Sequence, residues 1–299
     1  MEMRLTFTCV GEIMVEHIQR LRQLPKPNST VVFDQNRSTL GGAAINVAWY
    51  LSRLGANARL IAPLGSCDTP LLRRLVRGEN IDFSGIIITP GCSDRLFTAL
   101  TRHQHLSVYA LAMQPKTLGD ELVERCKSAS VLLLNGSRHE ALRQANTALA
   151  TRPTNSRWLF FNPSYAVFAY TRTELRKIIT AAHVTILNRS EFGYVRSLLG
   201  AKEIAKLSLA RGRVIVVTKG PDGAEILAGE KWKPARSRIS RIGVFLGAGD
   251  AFVAGFAYQF VRGNEPDEAL HYGLATAAAV VRSRSIRARL TEAAVRRWM

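Results

Sequence analysis

Four short apolar runs, Val131–Asn135, Trp158–Phe161, Val184–Leu187 and Val214–Val217, constrain this chain more than any other feature. None alternates apolar with polar residues, and each ends in turn or cap residues. A strand of that kind is buried on both faces, as in parallel sheets covered by helices. Helical stretches separate the runs or follow them: Leu142–Ala150, Glu174–Ala182, Glu191–Leu199 and Ala201–Arg211. Upstream, Leu5–Val10 reads as a first strand ending at Gly11. Ala43–Leu54 reads as a helix closed by Gly55, Arg59–Leu64 as a strand and Thr69–Arg77 as a helix. This alternation predicts an α/β fold with a central, mostly parallel sheet flanked by helices.

Two regions break the rhythm. Residues 14–38 and 84–113 carry β-branched and aromatic strand signals without a strong helix: Val31-Val32-Phe33, Ile86-Ile87-Ile88, Leu96–Leu100 and Leu106–Leu111. They are read as a small inserted β-sheet over a core made of residues 1–13, 39–83 and 114–299. Such a sheet is suited to act as a lid that excludes water. Ordinary edge hairpins are the alternative.

Composition narrows the function classes. The net charge is +18, from 41 Lys+Arg against 23 Asp+Glu. The basic residues are dispersed, and the densest cluster (Arg282, Arg284, Arg287, Arg289, Arg296, Arg297) accompanies no nucleic-acid-binding motif. Specific nucleic-acid binding is therefore not expected, although a positive field favours approach of an anionic nucleotide. Cys9, Cys67, Cys92 and Cys126 form no C-x-x-C pair, which fits a reducing cytoplasm rather than a zinc site or disulfide framework. No apolar run reaches about 18 residues, so no membrane span is expected. The chain contains no G-x-x-x-x-G-K-[ST] loop and no H-E-x-x-H. Its His residues, 139 among them, form no metal pattern.

The chemistry-bearing stretch is Gly247-Ala248-Gly249-Asp250-Ala251-Phe252, which opens a helix read from Asp250 to Arg262. Small residues let backbone amides approach a phosphate, and a helix N-terminus favours one. A carboxylate there would repel phosphate, unless it takes a proton from a hydroxyl that attacks the phosphate. The structural alternative is an Asp N-cap. A second small-residue loop, Gly41-Gly42-Ala43-Ala44-Ile45-Asn46, enters the helix that ends at Leu54 and suits a polyhydroxylated ligand. Thr218-Lys219-Gly220-Pro221-Asp222-Gly223 and Asn188-Arg189-Ser190-Glu191 each follow an apolar strand, where α/β sheets bind ligands. The first also reads as a plain turn, the second as a helix cap.

Taken in order, these motifs resemble the ribokinase-like (PfkB) family of carbohydrate and nucleoside kinases over almost the whole chain. The resemblance rests on Gly41-Gly42 with Asn46, on Asn188-x-x-Glu191, on Thr218-x-Gly220, and on Gly247-Ala248-Gly249-Asp250 continuing to Gly255. It implies a Rossmann-like domain with a small β-sheet lid. It implies ATP and Mg²⁺ as cofactors, and Asp250 as the base that activates a substrate hydroxyl. The amides of Gly247, Ala248 and Gly249 become the anion hole. Glu16, Gly42 and Asn46, with Asp250, bind the acceptor. Asn188, Thr218, Gly220, Gly223 and Gly247 line the nucleotide site, and Glu191 positions Mg²⁺.

Two departures bear on activity. Val244-Phe245 stands where the family has Asp-Thr, which speaks against a monovalent-cation site there. Asn162-Pro163-Ser164-Tyr165-Ala166 lacks the Arg that would pair with a sugar phosphate. The expected activity is ATP-dependent phosphorylation of a hydroxymethyl group on an unphosphorylated sugar. An adenosine-type nucleoside kinase and a catalytically weak nucleotide- or sugar-binding relative stand as alternatives. A homodimer through the lid is the expected assembly, in the cytoplasm.

Overall fold

Alternate residues of the central strands enter opposite cores, and this organises the structure. The computed structural model describes residues 5–26, 28–29, 38–75, 79–101, 105–113, 119–151, 156–209, 213–229, 231–238, 246–263, 265–283 and 290–299. In chain order the first half gives β1 (Thr6–Val10), β2 (Met14–Arg20), β3 (Ser38–Gly41), α1 (Ala43–Arg53), β4 (Asn57–Gly65), α2 (Thr69–Leu75), β5 (Ile81–Thr89), β6 (Asp94–Leu100) and β7 (His105–Ala110). Next come α3 (Gly119–Arg125), β8 (Val131–Asn135), α4 (Glu140–Thr151), β9 (Trp158–Asn162), α5 (Arg172–Ala181), β10 (Val184–Asn188), α6 (Arg189–Leu199), α7 (Ala201–Leu209) and β11 (Val214–Thr218). The chain closes with β12 (Ala224–Ala228), β13 (Trp232–Ala235), α8 (Ala248–Phe260), α9 (Pro266–Ser283) and α10 (Glu292–Arg296).

The large sheet has the order β13-β12-β11-β10-β9-β8-β1-β4-β5. It is parallel from β11 to β5, and β12 pairs antiparallel with both β11 and β13. All five residues of β8 are buried. Val131 and Leu133 join the core under α1, α8 and α9, whereas Leu132 and Leu134 join the core under α3–α7. Burying one such side chain contributes roughly 1.5–3 kcal/mol, so either core alone is a strong constraint on register. Helices α8 and α9 pack closely because Gly255 carries no side chain: a Cβ there would lie 2.2 Å from Thr276 Oγ1.

The separate small sheet has the order β3-β2-β6-β7. The expected insertion is thus present, with two corrections to its bounds. Ile86-Ile87-Ile88, placed with the insertion, belongs to β5 and pairs with β4 in the large sheet. β-Branched content marks a strand but does not say which sheet receives it. Thr39–Gly41, placed with the core, lies in β3 of the small sheet. Val31-Val32-Phe33 lies outside the described residues.

The parallel strands all end at one edge of the large sheet, and most end on a polar residue: Asn135, Asn162, Asn188 and Thr218. Asn135 stands opposite Asn162, and Asn188 opposite Thr218. The entry to α1 and the turns after β8–β11 lie at this edge.

Candidate active site

Helix α8 begins two residues earlier than its sequence suggests. Gly247 is the N-cap, with φ of 82°, a left-handed conformation that favours glycine. Asp250 is therefore not the cap; it lies in the first turn and makes no side-chain capping bond. Its Oδ2 accepts instead from Asn46 Nδ2 at 2.9 Å, across to α1. The opening amides of α8 have no acceptor within the helix. A Cβ on Gly249 would meet nothing within 4 Å, so the backbone there is open to a ligand.

Asp250 is held well above the ordinary carboxylate range, at about 7. Burial is the main cause, and the Asn46 hydrogen bond opposes it. The charges of Glu16 and Glu191 push in the same direction as burial. A base with this affinity is matched to proton transfer near neutral pH.

Glu16 is folded against the glycine loop. Its Oε1 accepts from Gly42 N at 3.2 Å. A Cβ on Gly41 would lie 2.0 Å from that carboxylate, so a side chain there would have to push the Glu16 carboxylate aside. Gly42 has φ of 107°, and a Cβ there would lie 2.7 Å from the Glu12 carbonyl. The structure thus brings Glu16, Gly42, Asn46, Asp250 and the Gly247-Ala248-Gly249 turn together from β2, α1 and α8. Asn46 carries a double load. One N–H is donated to Asp250, and the amide has a second N–H and an oxygen that can serve a hydroxyl.

Asn188 and Thr218, expected at the nucleotide site, stand opposite each other at the ends of the adjacent strands β10 and β11. Gly220 lies in open space at φ 60°, on the turn that Gly223 closes. Asn188 and Glu191, however, form a reciprocal capping box on α6. Asn188 Oδ1 accepts from Glu191 N at 2.9 Å, and Glu191 Oε2 accepts from Asn188 N at 2.9 Å. Glu191 Oε1 accepts from Asn188 Nδ2. Glu191 is buried, and burial raises its carboxyl to about 7. With both oxygens engaged, it fits a place behind a hydrated cation better than direct ligation. Val244-Phe245 lies outside the described residues.

A cluster that the sequence did not reveal adjoins the Gly41-Gly42 loop. Glu12, Asp94 and His139 bring ligand-type atoms within 4.8 Å of one another. Their positions in the chain are too far apart for any spacing rule to connect them. The signal available was local: Glu12 lies four residues before Glu16, and Asn135 ends an apolar run just before Ser137 and His139. Away from the site, a groove of about 790 Å³ is lined by Arg172, Arg176, Lys177, Lys202 and Lys206. It shares no residue with the loops above. Among the described residues, no helix is long and apolar enough to cross a membrane.

Known proteins resemble this chain over most of its length. The chain is 25% identical over 298 residues to a nucleoside kinase of Methanocaldococcus jannaschii, covering 95% of this chain and 92% of the relative. It is 31% identical over 270 residues to a 5-dehydro-2-deoxygluconokinase of Shouchella clausii, covering 82% and 81%. The ribokinase of Arabidopsis thaliana, solved with ribose and ATP, superposes with a TM-score of 0.78 at 17% identity, covering 99% of both chains. Residues 5–293 match the profile of the pfkB family carbohydrate kinases, so the chain belongs to that family of sugar and nucleoside kinases, which are phosphotransferases with an alcohol acceptor.

Proposed function

We propose that the protein transfers the γ-phosphate of ATP to the hydroxymethyl group of a neutral, unphosphorylated sugar. One observation carries this reading: Asp250, held near pKa 7 at the open N-terminus of α8, is hydrogen-bonded to Asn46 beside the Glu16–Gly42 loop. A hydroxymethyl oxygen placed between Asp250 and the α8 amides gives its proton to Asp250 as it attacks phosphorus. Glu16 and Asn46 would hold the remaining hydroxyls. The α8 amides would stabilise charge on the transferred group. The turns at Thr218 and Gly220 and the end of β10 would take the nucleotide. Mg²⁺ would arrive on the β- and γ-phosphates and neutralise their charge, with Glu191 behind its water shell. The Asn162–Ala166 turn offers no arginine or lysine, so a second phosphate on the acceptor has no partner there.

A nucleoside acceptor is the second reading. It is favoured by the near full-length similarity to a nucleoside kinase and by the paired rings of Tyr109 and Tyr165, 5.3 Å apart on the acceptor side. The same ribosyl hydroxymethyl chemistry serves both readings. A coupled ADP-release screen over free sugars, sugar phosphates and nucleosides tests them; turnover only with phosphorylated acceptors would overturn both. We also assign the outer face of the small sheet to a second copy of the chain. Phe97, Leu106 and Val108 lie on it and are each about half exposed.

A further inference from the structure

Among the described residues, a buried polar network ties the small sheet to the large one. Asp94 opens β6 and is fully buried. Its Oδ1 accepts from the amides of Ala112 at 2.8 Å and Met113 at 3.0 Å. Its Oδ2 accepts from Tyr109 Oη at 2.8 Å and pairs with His139 Nε2 at 2.5 Å. The Tyr109 hydroxyl also lies 3.0 Å from Glu12 Oε1. Glu12 Oε1 accepts from Tyr165 as well, and its Oε2 accepts from Ser137 Oγ at 2.7 Å. Ser137 Oγ in turn accepts from His139 N at 3.1 Å. Asp94 and Tyr109 belong to the small sheet, whereas Glu12, Ser137, His139 and Tyr165 sit on the turns after β1, β8 and β9.

The network is also next to the acceptor loop. The Glu12 carbonyl packs on Gly42. Asp94 stands in register with Met14, two residues along β2 from Glu16. Glu12, Asp94 and His139 have the donor set for a divalent ion, but the chain's own groups already occupy it. Chelation would have to displace the Tyr109 hydroxyl and break the His139–Asp94 pair. Buried hydrogen bonds to charged groups are strong only while every partner is present, so losing one member costs more than its own bond.

We propose that Asp94 and His139 are positioning residues for the acceptor: with Tyr109 and Glu12 they dock the small sheet on the large one and fix the acceptor-side wall. Docking needs only the chain's own side chains. It is therefore in place ahead of the acceptor, and acceptor binding does not have to provide it. The role in turnover rests on the reading of the Asp250 side as the acceptor site.

The test uses the full-length protein with Tyr109→Phe, which keeps the ring, and with His139→Gln against His139→Ala, where only Gln retains an N–H for Asp94. Tyr109→Phe and His139→Ala should raise the acceptor KM about tenfold, equivalent to about 1.4 kcal/mol, with the ATP KM nearly unchanged. His139→Gln should recover part of that loss. Ligand-free deuterium exchange over residues 94–101 and 105–113 should be slow in the wild type and faster in both damaging variants. A purely structural role would lower Tm and move both KM values together, and that would overturn the proposal. So would unchanged exchange with an unchanged acceptor KM. A Tm rise with equimolar Zn²⁺ that His139→Ala abolishes would show an ion site instead, and would equally overturn it. If the wild type phosphorylates no sugar or nucleoside, the functional reading fails, and the exchange measurement still decides the docking.

Discussion

Replacing Asp250 by Asn should move activity and stability in opposite directions. The substitution keeps shape, and the new amide oxygen can still accept from Asn46, which now donates to Asp250 at 2.9 Å. It removes the base. General-base assistance contributes roughly 10²–10⁴-fold, so kcat should fall by about that factor. The structure fixes the sign of the stability change. Folding raises this carboxyl from 3.8 to about 7, mainly by burial. A folded-state value above the unfolded one means that the ionised form is disfavoured by folding. The wild type therefore bears no penalty below about pH 4, an increasing one between about pH 4 and 7, and a constant one above. The full shift corresponds to roughly 4 kcal/mol. Partial access of solvent to the side chain reduces that to about 1–3 kcal/mol.

The assays are steady-state ADP release with the best acceptor, ATP binding by calorimetry, and thermal unfolding at several pH values. The variant should bind ATP almost normally. It should unfold at a higher temperature than the wild type at pH 8, and the difference should vanish near pH 4. A rate within about tenfold of wild type would refute the assignment of the base. An inactive variant that is also less stable at pH 8 would refute the electrostatic argument, because the carboxylate would then be stabilising the fold.

Three further outcomes follow from the same geometry. In the wild type, kcat/KM should fall on the acid side of about pH 7 as Asp250 takes up a proton. Asn46→Ala should move that limb upward by removing a donor to the carboxylate, and Glu16→Gln should move it downward by removing a neighbouring negative charge. One common limb for all three proteins would exclude Asp250 as the titrating base. Asn188→Ala should cost about 1 kcal/mol of stability through the lost α6 cap and raise the ATP KM more than the acceptor KM, as read from melting curves and two-substrate kinetics. Val108→Glu, on the outer face of the small sheet, should turn a dimer into a monomer in sedimentation velocity; an unchanged sedimentation coefficient would remove that face from the assembly.

The legible parts of this fold are those where one local cause decides. Val131–Asn135 and Val214–Thr218 are strands because nothing polar interrupts them, and burial on both faces follows. The Asn188–Glu191 pair was readable both as a nucleotide-site motif and as a cap. The structure shows that the cap is made, and the motif reading then depends on what lies beyond it. The start of α8 was harder to read. Asp is a favoured cap, but left-handed Gly247 takes that position and frees Asp250 for Asn46. Ile86–Ile88 has the same strand signal in either sheet, and only pairing with β4 decides between them. The Glu12–Asp94–His139 network was invisible, because it is made by the docking of one sheet on another and no residue spacing encodes that.

The site is locally acidic in a chain with a net charge of +18, and this contrast has a mechanistic use. Glu16 and Glu191 both raise Asp250, and a bound nucleotide adds more negative charge beside it. Without compensation, that charge would leave Asp250 protonated and useless as a base. Three compensating features lie within reach: the Asn46 donor, the open amides at the start of α8, and the cation that accompanies ATP. Each acts on a different part of the charge. In the proposed reaction the amides and the cation would meet the phosphates, which leaves Asn46 as the group that lowers Asp250 directly. On the proposed reading, Asn46 would therefore both bind the acceptor and set the protonation of Asp250. Its loss should then reduce kcat at neutral pH as well as acceptor affinity, with the kcat defect shrinking as the pH is raised above the shifted limb. A kcat defect that persists undiminished at high pH would assign Asn46 to substrate alignment alone.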